Sequence, residues 1–240
     1  ASSWTSSVDS GGYQAAVEET RALIAAGSVY QVNVCRVLSA PIDDDADVVG
    51  LHGLLSKGNP APYGGFVRLG DLRVVTASPE LFLERDGRRL LTSPIKGTTP
   101  AGSEFLEKDA AENIMIVDLM RNDLSRVCTP GSVQVAELLR REEHPGLAHL
   151  VSDVRGELRG GVGWPEVLDA CFPPGSVTGA PKSSALRIIG ELESVPRQLY
   201  CGAIGWVDAD ARTAALAVSI RTFWIDGATL RFGTGAGITW

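Results

Sequence analysis

The spacing of apolar and polar positions changes several times along the chain, and each change marks an element. Residues 14–26 set Val17, Leu23 and Ile24 among good helix formers and stop at Gly27, which predicts a helix. Residues 29–38 alternate valines with Gln31 and Asn33, the pattern of a strand. Residues 43–47 are an acidic loop, and residues 1–12, small and polar, read as a frayed start. Residues 66–95 hold short apolar runs separated by Leu69-Gly70-Asp71 and Asp86-Gly87, which predicts an antiparallel meander. A long helix is expected over 104–122, with Ile114, Val117 and Leu119 near one face. A short apolar piece at 133–139 follows the break at Gly131. Two short helices are expected at 148–158 and 164–171, and a third runs from the Thr178-Gly179-Ala180-Pro181 turn to about Leu192. Residues 201–207, 214–225 and 228–235 form a second β region with a hairpin turn at Asp226-Gly227. Strands, then helices, then strands again give an α+β fold with antiparallel sheets and helices outside, rather than a doubly wound parallel sheet. No repeat and no linker divides the chain, so a single domain over 1–240 is expected.

Composition narrows the function. With 44% hydrophobic and 21% charged residues, the 240-residue chain has the balance of a packed globular protein. Its net charge is -7 and it has no basic tract, which argues against a nucleic-acid partner and leaves room for a small anion held by a few cations. The longest uncharged stretch, 22–35, contains Gln31 and Asn33 and is too short and polar to span a bilayer; the start has no signal-peptide pattern. Cys35, Cys128, Cys171 and Cys201 are scattered and form no CxxC pair, the usage of a reduced, cytoplasmic protein without a zinc or redox motif.

Several residues could carry chemistry, and each has a plainer alternative. Asp109 and Glu112, three apart on a predicted helix, share a face and suit Mg²⁺, which takes oxygen ligands; they equally suit the acidic first turn of any helix. Lys96 follows a strand in Ser93-Pro94-Ile95-Lys96-Gly97-Thr98, and Glu80 follows Ser78-Pro79. A lysine is a nucleophile only when neutral, and a glutamate is a general acid near neutrality only when burial favours its protonated form; otherwise both are surface residues. Arg221 lies in an otherwise apolar run and fits either a carboxylate ligand or a structural ion pair. His149 reads as a core histidine or as a ligand. Gly175 to Ser183 has the glycines of a phosphate-cradling loop, but Pro181 stands where that motif needs glycine and removes an N–H donor.

Taken in order, these segments resemble one family, the chorismate-utilising enzymes. The resemblance runs from about Gly12 to Trp240. It rests on Val29-Tyr30-Gln31-Val32-Asn33, Ser78-Pro79-Glu80, Pro94-Ile95-Lys96-Gly97-Thr98, Ala111-Glu112-Asn113 through Asp118-Leu119-Met120-Arg121-Asn122-Asp123, His149-Leu150-Val151-Ser152, Thr178-Gly179-Ala180-Pro181-Lys182, Ile220-Arg221-Thr222 and Gly235-Ala236-Gly237. It implies the anthranilate synthase component I type of chorismate-binding fold, two antiparallel sheets packed as a sandwich with outer helices. Members that add water carry lysine where this chain has Gln31, so the resemblance points to ammonia as nucleophile. Anthranilate synthase large subunits carry alanine where this chain has Lys96, so the pattern is most similar to the aminodeoxychorismate synthase component I subfamily of p-aminobenzoate and folate synthesis.

The resemblance implies roles for the residues. Lys96 would attack C2 of chorismate while Glu80 protonates the departing C4 hydroxyl, and ammonia from a separate glutamine amidotransferase subunit would then displace Lys96. Glu112 with Asp109 would hold Mg²⁺ on the ring carboxylate. Arg221 and Tyr200, helped by the N–H groups of Gly235 and Gly237, would hold the enolpyruvyl carboxylate. Gln31, Thr98, His149 and Thr178 would contact substrate. Two alternatives stay open: anthranilate synthase component I, and a chorismate-binding fragment that does no chemistry. Against the family pattern, the chain lacks an N-terminal portion of the sheet and the acidic C-terminal segment whose glutamate completes the metal site. The 240 residues alone are therefore expected to be weakly active or inactive.

Overall fold

The computed structural model describes residues 4–240. In chain order the elements are β1 (Thr5–Ser6), α1 (Ser10–Ala25), β2 (Gln31–Pro41), α2 (Val48–Gly58), β3 (Tyr63–Leu69), β4 (Leu72–Ser78), β5 (Leu81–Asp86), β6 (Arg89–Ser93), β7 (Ile95–Pro100), α3 (Glu107–Ser125), β8 (Gln134–His144), β9 (Leu147–Glu157), α4 (Trp164–Cys171), a 3₁₀ turn (Gly175–Val177), β10 (Gly179–Ala180), α5 (Lys182–Leu192), β11 (Ala203–Asp208), β12 (Thr213–Val218), β13 (Thr222–Asp226) and β14 (Thr229–Ile238). They form two compact units, and the fold is α+β as the element order predicts. Unit 1 is built from Ala1–Pro79, Val177–Gly202 and Ser219–Trp240, and unit 2 from Glu80–Ser176 and Ala203–Val218.

Unit 1 contains one antiparallel sheet in the order β1-β2-β14-β13-β4-β3, with β10 also paired to β2. Its central pair is long: β14 runs against β2 from Thr229↔Pro41 to Ile238↔Val32. One core lies where Val29, Val32 and Val34 meet Ala185 and Ile188 of α5, with Tyr13, Leu23 and Ile24 of α1 packed beside them. A second sits under α2, where Val48, Val75 and Ile225 meet. Helix α1 starts at Asp9, whose carboxylate accepts the Gly12 N–H at 2.7 Å, and it ends before Gly27, which is left-handed at φ +76°.

Unit 2 contains the second antiparallel sheet, in the order β11-β12-β5-β6-β9-β7, with β8 on the other edge of β9. Helix α3 packs on β9 and β7. Its buried positions are Asn113, Ile116, Val117, Met120, Asp123 and Leu124, a stripe at helical spacing. Of the face expected from sequence, Val117 holds its place, whereas Ile114 is exposed. All four cysteines are free and buried. Among the described residues no helix is long and apolar enough to cross a membrane.

The structure corrects several sequence expectations. Residues 1–3 lie outside the described residues. Beyond them the start is ordered rather than frayed, since Thr5 and Ser6 pair with Ser39 and Leu38 and α1 begins at Ser10. The expected helix at 148–158 is strand β9. It is flanked by strands on both edges and buried at most positions, polar His149 and Ser152 included, so its residues do not alternate cleanly and periodicity cannot tell them from a helix segment. The meander expected over 66–95 is two hairpins. β3 and β4 belong to the sheet of unit 1, β5 and β6 to that of unit 2, and the change falls at Pro79-Glu80. Residues 214–225 likewise form two strands, because β12 pairs with β5 while β13 pairs with β4. Arg221 therefore lies between strands, at φ +50°, and not within one. Pro181 is the N-cap of α5 rather than its first helical residue.

Candidate active site

In unit 2 the site begins with a proline. β6 and β7 together cover one edge of β9, from Arg89↔Glu157 to Pro100↔Leu147. Pro94 separates them, where a missing N–H does least harm. Register is even until Ile95↔Val151 and resumes at Thr98↔His149, so β7 carries one extra residue at Lys96-Gly97. Such a bulge bends the strand and re-aims a side chain. Gly97 makes it possible: its φ is +85°, and a Cβ there would stand 2.9 Å from Asp109 Cβ. Gly97→Ala is accordingly expected to cost about 1–2 kcal/mol from the left-handed backbone alone. The clash should add to that, and an unchanged melting curve would contradict this account of the bulge.

The re-aimed Lys96 meets the first turns of α3. Its Nζ lies 2.9 Å from Glu112 Oε1, with the lysine side chain 12% exposed and the glutamate 24%. Asp109, one turn earlier, is half-buried and caps the helix, accepting the Leu106 N–H on Oδ2 at 2.9 Å. Next to Glu112, the Asn113 amide is fully buried. Its Nδ2 donates to Leu150 O at 3.0 Å, and its Oδ1 accepts from the Ser152 hydroxyl at 2.6 Å. The same hydroxyl accepts the Leu139 N–H at 2.9 Å, where β8 is left-handed at φ +57°. Asn113 thus ties α3 to β9 and, through Ser152, to β8.

His149 is buried on β9. Its Nδ1 lies 2.9 Å from Thr98 Oγ1, across the resumed register, and its ring meets His144 edge-on at 5.2 Å. His144 in turn contacts Glu142 at 2.9 Å. Burial would raise the Glu142 pKa, but hydrogen bonds from Arg140 and His144 prevail and lower it. Glu80 lies at the head of β5. It is 4% exposed, and its carbonyl accepts the Val218 N–H at 3.0 Å. A carboxyl so buried requires partners or a proton.

The remaining candidates belong to unit 1. Gln31 and Thr178 are both buried and close in the fold, because β10 pairs Ala180 with Gln31 and the Asn33 N–H donates to Thr178 O at 2.8 Å. Gly235 and Gly237 are exposed on β14 opposite Cys35 and Asn33. β13 stops pairing with β14 at Phe232, so beyond that point β14 has only β2 beside it among the described strands. Tyr200 is buried over Gly233, where a Cβ would collide with its ring. Burial, and then the neighbouring Cys201 and Cys35 thiols, push its phenol well above the usual range. The Cys35 thiol is raised too, first by its hydrogen bond with Cys201 and then by burial. Arg221, at the β12–β13 joint, is half-buried and its carbonyl accepts the Ala77 N–H at 2.9 Å.

The sequence reading passed over four residues that the structure makes prominent: Asn113, Ser152, Glu193 and Arg197. Glu193 and Arg197 form a buried ion pair, with Arg197 Nε 2.8 Å from Glu193 Oε2. Their i,i+4 spacing was the available signal, masked by Pro196 between them. The glycine-rich segment at 175–183 is no cradle. It is a 3₁₀ turn followed by a strand paired to β2.

Asp109 and Glu112 offer only oxygens, and two carboxylates are a donor set suited to a hard cation that keeps several waters, as Mg²⁺ does. Among the described residues no group of three His, Cys, Asp or Glu gathers that could hold a metal ion without further ligands.

The family of chorismate binding enzymes matches residues 1–240, and the chain belongs to it. It is 36% identical over 239 residues to aminodeoxychorismate synthase component 1 of Bacillus subtilis, covering 95% of this chain and 50% of that protein. It is 38% identical over 243 residues to anthranilate synthase component 1 of Aeropyrum pernix, covering 95% and 55%. The crystal structure of anthranilate synthase component I from Streptococcus pneumoniae superposes with a TM-score of 0.89 at 32% identity, over 99% of this chain and 55% of that one. The chain spans about half the length of the curated relatives it matches.

Proposed function

We propose that this chain is the catalytic domain of an enzyme that aminates chorismate to 4-amino-4-deoxychorismate. The observation that carries the reading is Lys96, lifted out of register by a bulge, half-buried and held 2.9 Å from Glu112. A lysine drawn out of its strand, with its side chain largely buried, suits a covalent nucleophile better than a surface cation, provided that it passes to a base the proton that the Glu112 carboxylate favours. Relatives named for both amination reactions match at similar identity, so the choice between them rests on Lys96, while Gln31 sets both apart from the addition of water.

In the proposed reaction Nζ of Lys96, as the free amine, forms a bond to C2 of the ring. Both ring double bonds shift, C1=C2 to C1=C6 and C5=C6 to C4=C5, and the C4–O bond breaks. Glu80 gives its proton to the departing hydroxyl, which leaves as water. Ammonia then attacks C4, both double bonds shift back, the Nζ–C2 bond breaks to return the amine of Lys96, and a proton from the new ammonium restores the Glu80 carboxyl. One difficult displacement becomes two, and the enolpyruvyl group is kept. The Thr98–His149 pair lies one register position beyond the bulge and contacts the ring. Within unit 1 the reading makes Arg221 and Tyr200 carboxylate ligands, assisted by the N–H groups of Gly235 and Gly237. Gln31 has no basic group with which to activate water, which leaves ammonia as the nucleophile. Mg²⁺ held by Glu112 and Asp109 would supply positive charge for the ring carboxylate of an anionic substrate. The ammonia is proposed to come from a glutamine amidotransferase subunit, in keeping with relatives named as component 1.

The test is product identity. Full-length protein incubated with chorismate, Mg²⁺ and ammonium is expected to give aminodeoxychorismate, identified by mass spectrometry with its enolpyruvyl group retained. Anthranilate together with pyruvate would overturn the assignment of the amine to C4, and isochorismate would overturn ammonia as the nucleophile.

A further inference from the structure

We infer that Arg197 is a positioning residue, whose guanidinium, paired with Glu193, stands in for a missing strand and thereby sets the backbone that presents Gln31, Thr178 and Tyr200. The inference rests on the reading of the chain as a chorismate enzyme.

One edge of β2 is covered by β14 along its whole length. The other edge is covered in pieces. β10 pairs with Gln31 and Val32, and β1 pairs with Leu38 and Ser39. Between them no strand lies against Asn33 to Cys35 among the described residues, and the ion pair fills that gap. Arg197 Nη2 donates to Asn33 O at 2.6 Å, and Glu193 Oε1 accepts the Cys35 N–H at 3.0 Å. A donor and an acceptor thus meet the strand as a neighbouring strand would.

The same fork reaches further. Arg197 Nη1 donates to Val177 O at 2.9 Å, directly before Thr178, and Nε donates to Glu193 Oε2 at 2.8 Å. Its own carbonyl accepts the Tyr200 N–H at 3.0 Å. The Asn33 N–H is already given to Thr178 O, so both backbone groups of Asn33 are fixed by this one assembly. The side chains of Arg197 and Glu193 are 13% and 9% exposed, so little water is at hand to replace either partner. Lysine in place of Arg197 would keep the charge but could not span two carbonyls and a carboxylate at once.

The experiment compares R197K with wild type as full-length protein, measuring chorismate Kd by equilibrium binding, then KM and kcat. The expected result is a rise in Kd and KM of about tenfold or more, the effect of losing one charge-assisted hydrogen bond, with kcat changed less than KM. Partial recovery of affinity on adding guanidinium ion to R197A would support the assignment in the same way. A role in stability alone would lower the melting temperature and leave Kd and KM of the folded protein at the wild-type value, which would overturn the inference. If R197K does not fold, E193Q carries the test. It keeps the fork on both carbonyls and weakens its anchor, so a smaller rise in Kd supports the inference and an unchanged Kd overturns it. Wild type that fails to bind chorismate would overturn the functional reading and this inference with it. Wild-type binding matched by an equally tight R197K would overturn this inference alone.

Discussion

Lys96→Ala is expected to lower the proposed chorismate amination by roughly 10³-fold or more, the scale at which loss of a group acting directly on the reacting atoms registers. The fold should survive, because the bulge depends on Gly97 and not on the lysine side chain, and the Glu112 carboxylate left behind is 24% exposed and can take up water. Activity and stability therefore separate, with the melting temperature close to wild type while turnover collapses. Lys96→Arg sharpens the result. Arginine keeps a cation for Glu112 but does not become a free amine, so it is expected to be as inactive as alanine. An arginine variant with near-normal turnover would show that the position needs only positive charge, and the covalent step would be lost. Kinetics of both variants with ammonium as donor, alongside thermal melts, decide it.

Asn113→Leu gives the largest loss of stability. Leucine is close to asparagine in size, so the change leaves little cavity. It strands Leu150 O and the Ser152 hydroxyl in a place without water. Each stranded group costs about 1–3 kcal/mol, and about 2–6 kcal/mol together. For a chain of this length that corresponds to a fall in melting temperature of about 10 °C. Glu112 is the next residue, so the register of α3 against the bulge should loosen and turnover should fall with stability. A thermal melt of the full-length variant close to wild type would refute the idea that Asn113 clamps α3 to the sheet.

What could be read in the sequence was what is local. β2, both hairpin turns, α3 and α4 announce themselves through spacing, glycines and caps within a few residues of one another. β9 did not, because consecutive positions from Ala148 to Ser152 are buried and the alternation that distinguishes a strand from a helix is lost. Nor did the breaks at Pro79-Glu80 and at Ser219 to Arg221, where an apolar run continues while its hydrogen-bonding partner changes. Of the site, Lys96, Asp109 and Glu112 could be named from their motifs. Their meeting could not, since it depends on one extra residue in β7 that exists only relative to β9. Arg197 remained hidden for a related reason: its acceptors, Asn33 O and Val177 O, are backbone groups that no side-chain pattern reveals.

The threading of unit 1 bears on how the protein is made. β2 and β14, its longest paired strands, lie far apart in sequence, with Val32 set against Ile238. At a synthesis rate of about 5–20 residues per second, β2 waits roughly 10–40 s on the ribosome before β14 exists. In unit 2 the wait is shorter, because β12 pairs with β5 and ends at Val218. β7 and β9, between which the bulge that carries Lys96 forms, are both made before β14, so the bulge can be in place while β2 still lacks β14.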